Sequence, residues 1–269
     1  MSGLKVCLNH PYLAYREKSF YQSSREVAEE VPVAMSYNGT THAVMMATPA
    51  DLEDFALGFS LTEGIISSIS EIEDLGIEIF EKGIDVQMRL SAEPGNALAA
   101  RRRFMAGPVG CGLCGIDSID QALRPLSALF AETLRFQPRS IIDAMDALAA
   151  AQKLNAETRA VHGAGFFIPG EGLFAVREDV GRHNAFDKLI GAMARAGKVA
   201  EQGLVAITSR VSVEMVQKAV ILRVPLLAAI SAPTALAIRT ADEARLTLAA
   251  LVRGNDFDVY CHPERILGE

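Results

Sequence analysis

Two cysteines three residues apart, Cys111 and Cys114, stand in the stretch Gly107-Pro108-Val109-Gly110-Cys111-Gly112-Leu113-Cys114-Gly115, which is otherwise almost all glycine. Glycine frees the backbone and withholds side chains, so the run predicts an exposed loop with its thiols placed to react. Four readings fit such a pair. A structural zinc site needs four nitrogen or sulfur ligands, and no second C-x-x-C or H-x-x-x-H completes the set. A thioredoxin-like redox pair belongs at the start of a helix beside a βαβ unit, where the dipole lowers a thiol pKa, whereas this pair lies in a glycine loop. A sulfur carrier holds a sulfur atom as a persulfide on a nucleophilic thiolate and swings it from donor to acceptor, a motion that glycine permits. The fourth reading is that the two cysteines are incidental.

Other reactive side chains gather after strand-like runs. Arg177-Glu178-Asp179-Val180-Gly181-Arg182-His183-Asn184 follows one run, Thr208-Ser209-Arg210-Val211-Ser212-Val213-Glu214 a second, and Ser231-Ala232-Pro233-Thr234 a third. In open α/β sheets ligands bind outside the carboxyl ends of the strands, where helix N-termini also point. Arg182, His183 and Arg210 with the small hydroxyls therefore predict an anion pocket, against the plainer reading of helix caps and surface ion pairs. His162, in Val161-His162-Gly163-Ala164-Gly165, is a further candidate, because glycines allow close backbone approach to a ligand.

The elements that carry these groups can be read from periodicity. With 269 residues, 50% hydrophobic, the chain is long enough for one large or two modest domains, and two are expected. A net charge of -7 argues against a nucleic-acid footprint. No secretory signal is apparent near the start, and the apolar region 219–238 is broken by Arg223, Pro225 and Pro233, so it reads as core rather than as a membrane span. A cytoplasmic protein is expected, with its four cysteines reduced.

Residues 1–30 read as a polar, irregular, loosely tied arm. Residues 31–37 and 40–47 flank Asn38-Gly39 and predict a type I′ hairpin. Thr48-Pro49-Ala50-Asp51 predicts a Thr-capped helix with Pro at its first position, running to Thr62. Strands at 75–80 and 85–90 complete a small α+β unit, and 91–103 reads as a linker or short helix. Helical spacing marks 121–129 and 140–154, the second capped by Ser140. Three strand-then-helix units come next: 172–177 with 184–196, 203–208 with 212–222, and 225–231 with a helix opening at the capping box Thr240-Ala241-Asp242-Glu243, before a last strand at 257–261. The expected organisation is an arm (1–30), an α+β domain with the cysteine loop (31–135) and an α/β layered domain (136–269).

Met45-Met46-Ala47-Thr48-Pro49, Phe59-Ser60-Leu61-Thr62-Glu63-Gly64, the cysteine loop with Ile116-Asp117, VREDVGRHNAFDK at 176–188, TSRVSVEMVQK at 208–218 and Ser231-Ala232-Pro233-Thr234 together resemble the FdhD family, the sulfurtransferase accessory proteins of formate dehydrogenase. The resemblance covers nearly the whole chain after residue 30. It implies that sulfur is taken from a cysteine desulfurase as a persulfide on Cys111, with Cys114 as loop partner. The sulfur then passes to the molybdenum of the bis(molybdopterin guanine dinucleotide) cofactor before that cofactor enters the formate dehydrogenase catalytic subunit. It further implies a cytidine deaminase-like fold for the second domain, a homodimer, and a cofactor-binding stretch at Leu251, Val252, Arg253, Gly254, Asn255 and Asp256. Guanine nucleotides such as GDP or GMP would mimic part of the cofactor, in keeping with an anion-binding pocket around His162, Arg182, His183 and Arg210.

Two other functions are conceivable. One is a non-catalytic chaperone that only holds the cofactor. The other is a zinc nucleobase deaminase, which requires a Glu two residues after a ligand His. None of His10, His42, His162, His183 and His262 meets that spacing, so no metal site is expected.

Overall fold

In a computed structural model of the chain, residues 4–105, 126–129 and 134–267 are described. Cys111 and Cys114 lie outside the described residues, as do positions 121–125 of the helix expected at 121–129; residues 126–129 are irregular, and the Leu129 N–H donates to the Ala244 carbonyl at 2.9 Å.

Of the segment expected as an irregular arm, residues 7–28 form a hairpin. β1 (Cys7–Arg16) and β2 (Ser19–Ala28) pair antiparallel along their full length. Their turn is Glu17-Lys18, both at positive φ (50° and 63°), which gives the hairpin twist without the glycine or asparagine that normally announces it. Aromatic and branched residues such as Tyr12, Tyr15, Phe20, Tyr21 and Val27 favour the extended form. At the turn end the rings of Tyr15 and Phe20 meet at 5.0 Å.

A four-stranded sheet comes next, in the order β4-β3-β6-β5, from β3 (Val31–Tyr37), β4 (Thr40–Ala47), β5 (Ile72–Phe80) and β6 (Gly83–Leu90). Asn38 and Gly39 have φ of 50° and 76°, the type I′ geometry their identities predict. Helix α1 (Leu52–Thr62) lays Leu52, Phe55, Ala56 and Phe59 on Val33, Met35, Val86 and Met88. It begins after Asp51, in the left-handed region, and not at Thr48, whose polar groups are all used elsewhere. Helix α2 (Ala92–Met105) leads out of the sheet.

The third sheet has six strands in the order β12-β11-β10-β9-β7-β8. They are β7 (His162–Ile168), β8 (Gly172–Asp179), β9 (Leu204–Ile207), β10 (Leu226–Ala229), β11 (Thr247–Arg253) and β12 (Asp256–Cys261). β9, β10 and β11 are parallel; β7, β8 and β12 run antiparallel to their neighbours. Helices cover both faces, as the buried central strands require. On one face α3 (Pro138–Ala151) sets Ile141, Ala144, Met145 and Leu148 on Leu204, Ala206, Leu226, Ala228 and Ala249. On the other, α5 (Arg182–Arg195), α6 (Val213–Leu222) and α7 (Ala235–Glu243) cover Val205, Ile207, Leu227, Ala229, Leu248 and Ala250. Between α3 and β7, the short α4 (Lys153–Thr158) supports β2, where Arg25 donates to the Thr158 carbonyl.

Several expectations shift here. His162 opens strand β7, which lies outside the strands expected at 172–177, 203–208, 225–231 and 257–261. Helix α3 starts at Pro138 after Gln137, so Ser140 lies inside its first turn and caps nothing. The capping box at Thr240 is not a helix start: α7 begins after Thr234, whose hydroxyl accepts from the Ala237 N–H at 3.2 Å, and ends at Glu243. The next element is the buried strand β11. Residues 219–238 are broken among helix, strand and loop, and among the described residues no helix is long and apolar enough to cross a membrane.

Candidate functional site

Strand register collects the reactive residues on one edge of the six-stranded sheet. Ile207 pairs with Ala229 and with Ala164, and His162 pairs with Asp179. The start of β7 therefore shares an edge with the ends of β8, β9, β10 and β11. That edge carries His162, the segment Val180 to His183, Thr208 to Ser212, Ile230 to Thr234, and the β11–β12 turn. Helices α5 and α6 both begin there, directing their free N–H groups outward. Backbone bonds stitch the loops together: Val211 N–H donates to the Ala232 carbonyl at 3.3 Å and Thr234 N–H to the Val211 carbonyl at 2.9 Å. The Gly163 N–H donates to the Thr208 hydroxyl at 2.8 Å.

Arg182 and His183 are half-buried in the first turn of α5, and His162 is half-buried beside them. Arg182 Nε is buried with no acceptor among the described residues. A buried guanidinium N–H left open at a helix N-terminus suits an anionic oxygen supplied by a ligand. Arg210 is exposed on the neighbouring loop. Arg253, Gly254, Asn255 and Asp256 are exposed at the β11–β12 turn on the same edge; Leu251 is half-buried in a bulge with φ of 55°, and Val252 packs into the α3-side core. Val252 is only 2% exposed and so presents almost no surface to a ligand.

Burial pushes the His183 imidazole down to about 4, with the nearby Arg182 and Lys218 charges adding to it and Glu214 opposing. Burial, then Arg182, also lowers His162, against the pull of Asp179. Both rings are neutral at pH 7, so the fixed positive charge comes from the arginines. The depressed value has a stability consequence. Unfolded His183 takes a proton near 6.5 whereas the folded residue resists until about 4, so the unfolded state binds more protons in that window. Stability from this group is full above pH 6.5 and falls as pH drops toward about 4. Thermal unfolding from pH 8 to 4 should therefore show a shallower acid-side decline in His183→Asn than in the wild type, and parallel curves would refute the assignment.

Buried charge networks anchor this edge to the four-stranded sheet and its helix, and their members lie within the quoted segments 45–49, 59–64, 176–188 and 208–218 although nothing in those segments shows how they pair. Asp179, at the end of β8, meets Lys188 Nζ at 2.6 Å, and both side chains are fully buried. Asp179 also accepts from the N–H groups of Thr48 and Gly181 and from the Asn184 amide, at 3.0, 2.7 and 3.0 Å. Lys188 donates to the Thr48 carbonyl at 2.9 Å, Asn184 to the Met46 carbonyl at 2.8 Å, and Val180 N–H to the Thr48 hydroxyl at 3.1 Å. Thr48 thus joins the end of β4 to the loop that presents Arg182. A second network links Asp187, Lys218 and Thr62. On the outer side Arg177 pairs with Asp54 at 2.6 Å, and Arg195 with Glu53 at 2.6 Å.

Helices α1 and α5 cross at two glycines. A Cβ on Gly58 would lie 1.7 Å from the Asp187 carbonyl oxygen, and one on Gly191 would lie 1.9 Å from the Asp54 carbonyl oxygen. Only hydrogen fits at either position. Among the described residues no group of three or more His, Cys, Asp or Glu is placed to hold a metal.

The model of the FdhD/NarQ family matches residues 28–267. A protein of Brucella abortus biovar 1 described as sulfur carrier protein FdhD is 67% identical over 267 residues, covering 99% of both chains. Proteins of the same description from Agrobacterium fabrum and Cupriavidus necator are 61% and 48% identical, covering 94% and 95% of this chain and 94% and 88% of their own. A crystal structure from Desulfotalea psychrophila, of a protein proposed to be a formate dehydrogenase accessory protein, superposes with a TM-score of 0.76 at 24% identity. The match covers 98% of this chain and 100% of that one, a likeness of fold.

Proposed function

Because this chain belongs to the FdhD/NarQ family, we propose that it carries persulfide sulfur from a cysteine desulfurase to the molybdenum of the bis(molybdopterin guanine dinucleotide) cofactor destined for formate dehydrogenase. The observation that carries this reading is the convergence of Arg182, His183, His162, Arg210 and the Arg253–Asp256 turn on one sheet edge, together with the unpartnered Arg182 Nε. Description of close relatives as sulfur carriers supports it.

Each half of the chain has its part. Cys111 supplies the nucleophile: its thiolate attacks the terminal sulfur of the desulfurase persulfide, the donor S–S bond breaks, and the desulfurase cysteine leaves as thiolate. Cys111 then holds the sulfur as a persulfide, with Cys114 three positions on in the sequence, and returns to thiolate once the terminal sulfur is passed on. The sheet edge holds the acceptor. Arg182 and the first N–H groups of α5 and α6 receive the diphosphate, Arg210 adds charge from the rim, and neutral His162 and His183 offer hydrogen bonds without further charge. Residues 251–256 reach the same ligand through the exposed turn. Bound there, the cofactor supplies the metal that accepts sulfur. Two copies pair as a homodimer, and the formate dehydrogenase catalytic subunit takes the finished cofactor.

Intact-protein mass spectrometry after incubation with a cysteine desulfurase and cysteine tests the loading step. The wild type should gain the mass of a sulfur atom, mapped to Cys111 and removed by reductant. Absence of that adduct under conditions where the desulfurase turns over would sink the proposal.

A further inference from the structure

Below the anion edge, α5 and α6 face each other with a ladder of charge that extends inward. On α5, His183 and Asp187 are four residues apart and therefore stack on one face; on α6, Glu214 and Lys218 do the same. The outer rung sets His183 within electrostatic reach of Glu214. The inner rung is closed: Lys218 Nζ meets Asp187 Oδ1 at 2.6 Å and donates to the Thr62 hydroxyl at 2.9 Å, and that hydroxyl donates to Asp187 at 2.8 Å. The Asp187 and Lys218 side chains are only 1% and 8% exposed.

From this geometry we infer that Lys218 is a positioning residue of the anion edge, fixing the first turns of α5 and α6 against each other through Asp187 and Thr62 and thereby setting how His183 meets a bound diphosphate. The inference rests on the functional reading above for the identity of the ligand. A buried ion pair is a poor device for stability, since well-packed apolar residues do as well. This one is also incompletely satisfied, because Asp187 Oδ2 has no hydrogen-bond partner among the described residues. Its place one helical turn beneath the site gives the pair another use. The charged and titratable groups facing His183 are Arg182 on its own helix, Lys218 and Glu214 on α6, and His162 on β7. Burial is the main reason His183 remains a neutral hydrogen-bonding group, and the charges of Arg182 and then Lys218 add to it. Without Lys218 the ring would titrate closer to its ordinary range and α6 would lose its tether to α5 and to the last turn of α1.

The test compares the wild type with Lys218→Met by NMR titration of histidine side chains, calorimetric titration with GDP, and persulfide loading of Cys111. In the variant the His183 midpoint should rise from about 4 toward 6.5. GDP binding at pH 7.5 should weaken about tenfold, the loss seen when a side chain supporting a binding group is removed. Sulfur loading should match the wild type. An unmoved His183 midpoint, or GDP affinity within about twofold of the wild type, overturns the role assigned to Lys218. If Lys218→Met does not fold, the double variant Asp187→Asn with Lys218→Met leaves no buried charge unpaired and is read the same way. A wild-type protein that takes no sulfur on Cys111 defeats the functional reading alone, since the histidine and GDP measurements do not involve that thiol.

Discussion

Cys111→Ala is expected to abolish formate dehydrogenase maturation while binding GDP as the wild type does. Alanine has no nucleophile, and a persulfide needs a thiolate sulfur to hold it, so no partial activity can come from the substituted position. The anion edge is built from strand ends and helix N-termini between residues 162 and 256, far from Cys111 in sequence, so the lesion should separate carriage from binding. Cells lacking their own copy of the protein and supplied with the variant should show background formate dehydrogenase activity, a loss of about a hundredfold or more. Calorimetry with GDP should give a dissociation constant within about twofold of the wild type. Substantial activity from Cys111→Ala would point instead to a protein that only holds the cofactor.

The largest effect on stability is expected from Lys188→Met. The ammonium is fully buried beside an equally buried Asp179, and burial lowers its pKa even as Asp179 opposes the change. Removing it leaves the buried carboxylate without its counter-charge and takes one of two donors from the Thr48 carbonyl, which keeps the Ala50 N–H at 2.8 Å, at a cost of about 3–5 kcal/mol. For a chain of this size that corresponds to a fall in Tm of roughly 10 °C. Asp179→Asn with Lys188→Met should recover part of the loss, because no ion is then left unpaired. GDP affinity should fall in the single variant as well, since Asp179 holds the Gly181 N–H and the Asn184 amide next to Arg182. A drop in Tm below about 3 °C would show that Asp179 finds another partner and that the clamp matters little.

The sequence is readable wherever structure comes from neighbouring residues. Asn38-Gly39 fixes its hairpin because the dipeptide itself favours positive φ, and the polar residues after 177, 208 and 231 mark strand ends because loops must emerge there. It is opaque where a local signal is missing or shared. Glu17 and Lys18 make the same kind of turn with no compositional mark, so β1 and β2 pass for an arm. Thr240-Ala241-Asp242-Glu243 satisfies a capping box, yet the register of α7 is set by Thr234 and by burial of Ala237 and Ala241 against the sheet. Thr48 and Ser140 look like caps as well, and tertiary contacts or a preceding proline displace both. In the candidate site, Arg182, His183, His162 and Arg210 can be named from chemistry, and the register groups their positions on one edge. The charges behind them cannot: Asp179 with Lys188 is separated by nine positions, and Lys218 with Thr62 by 156, distances over which no periodicity speaks. One hint is available, since glycine in a helix interior costs about 1 kcal/mol relative to alanine and usually implies a packing reason. Gly58 and Gly191 both carry that hint.

The atoms opposite those two glycines belong to the main chain, so no second-site suppressor on the facing helix can make room for a larger residue. Relief would require sliding α1 along α5, and such a slip would pull Asp187 from Thr62 and Thr48 from Lys188 together. Tolerance to mutation at the interface is therefore inherited by the site: a methyl group added far from any ligand is felt first as lost alignment of Arg182 and His183.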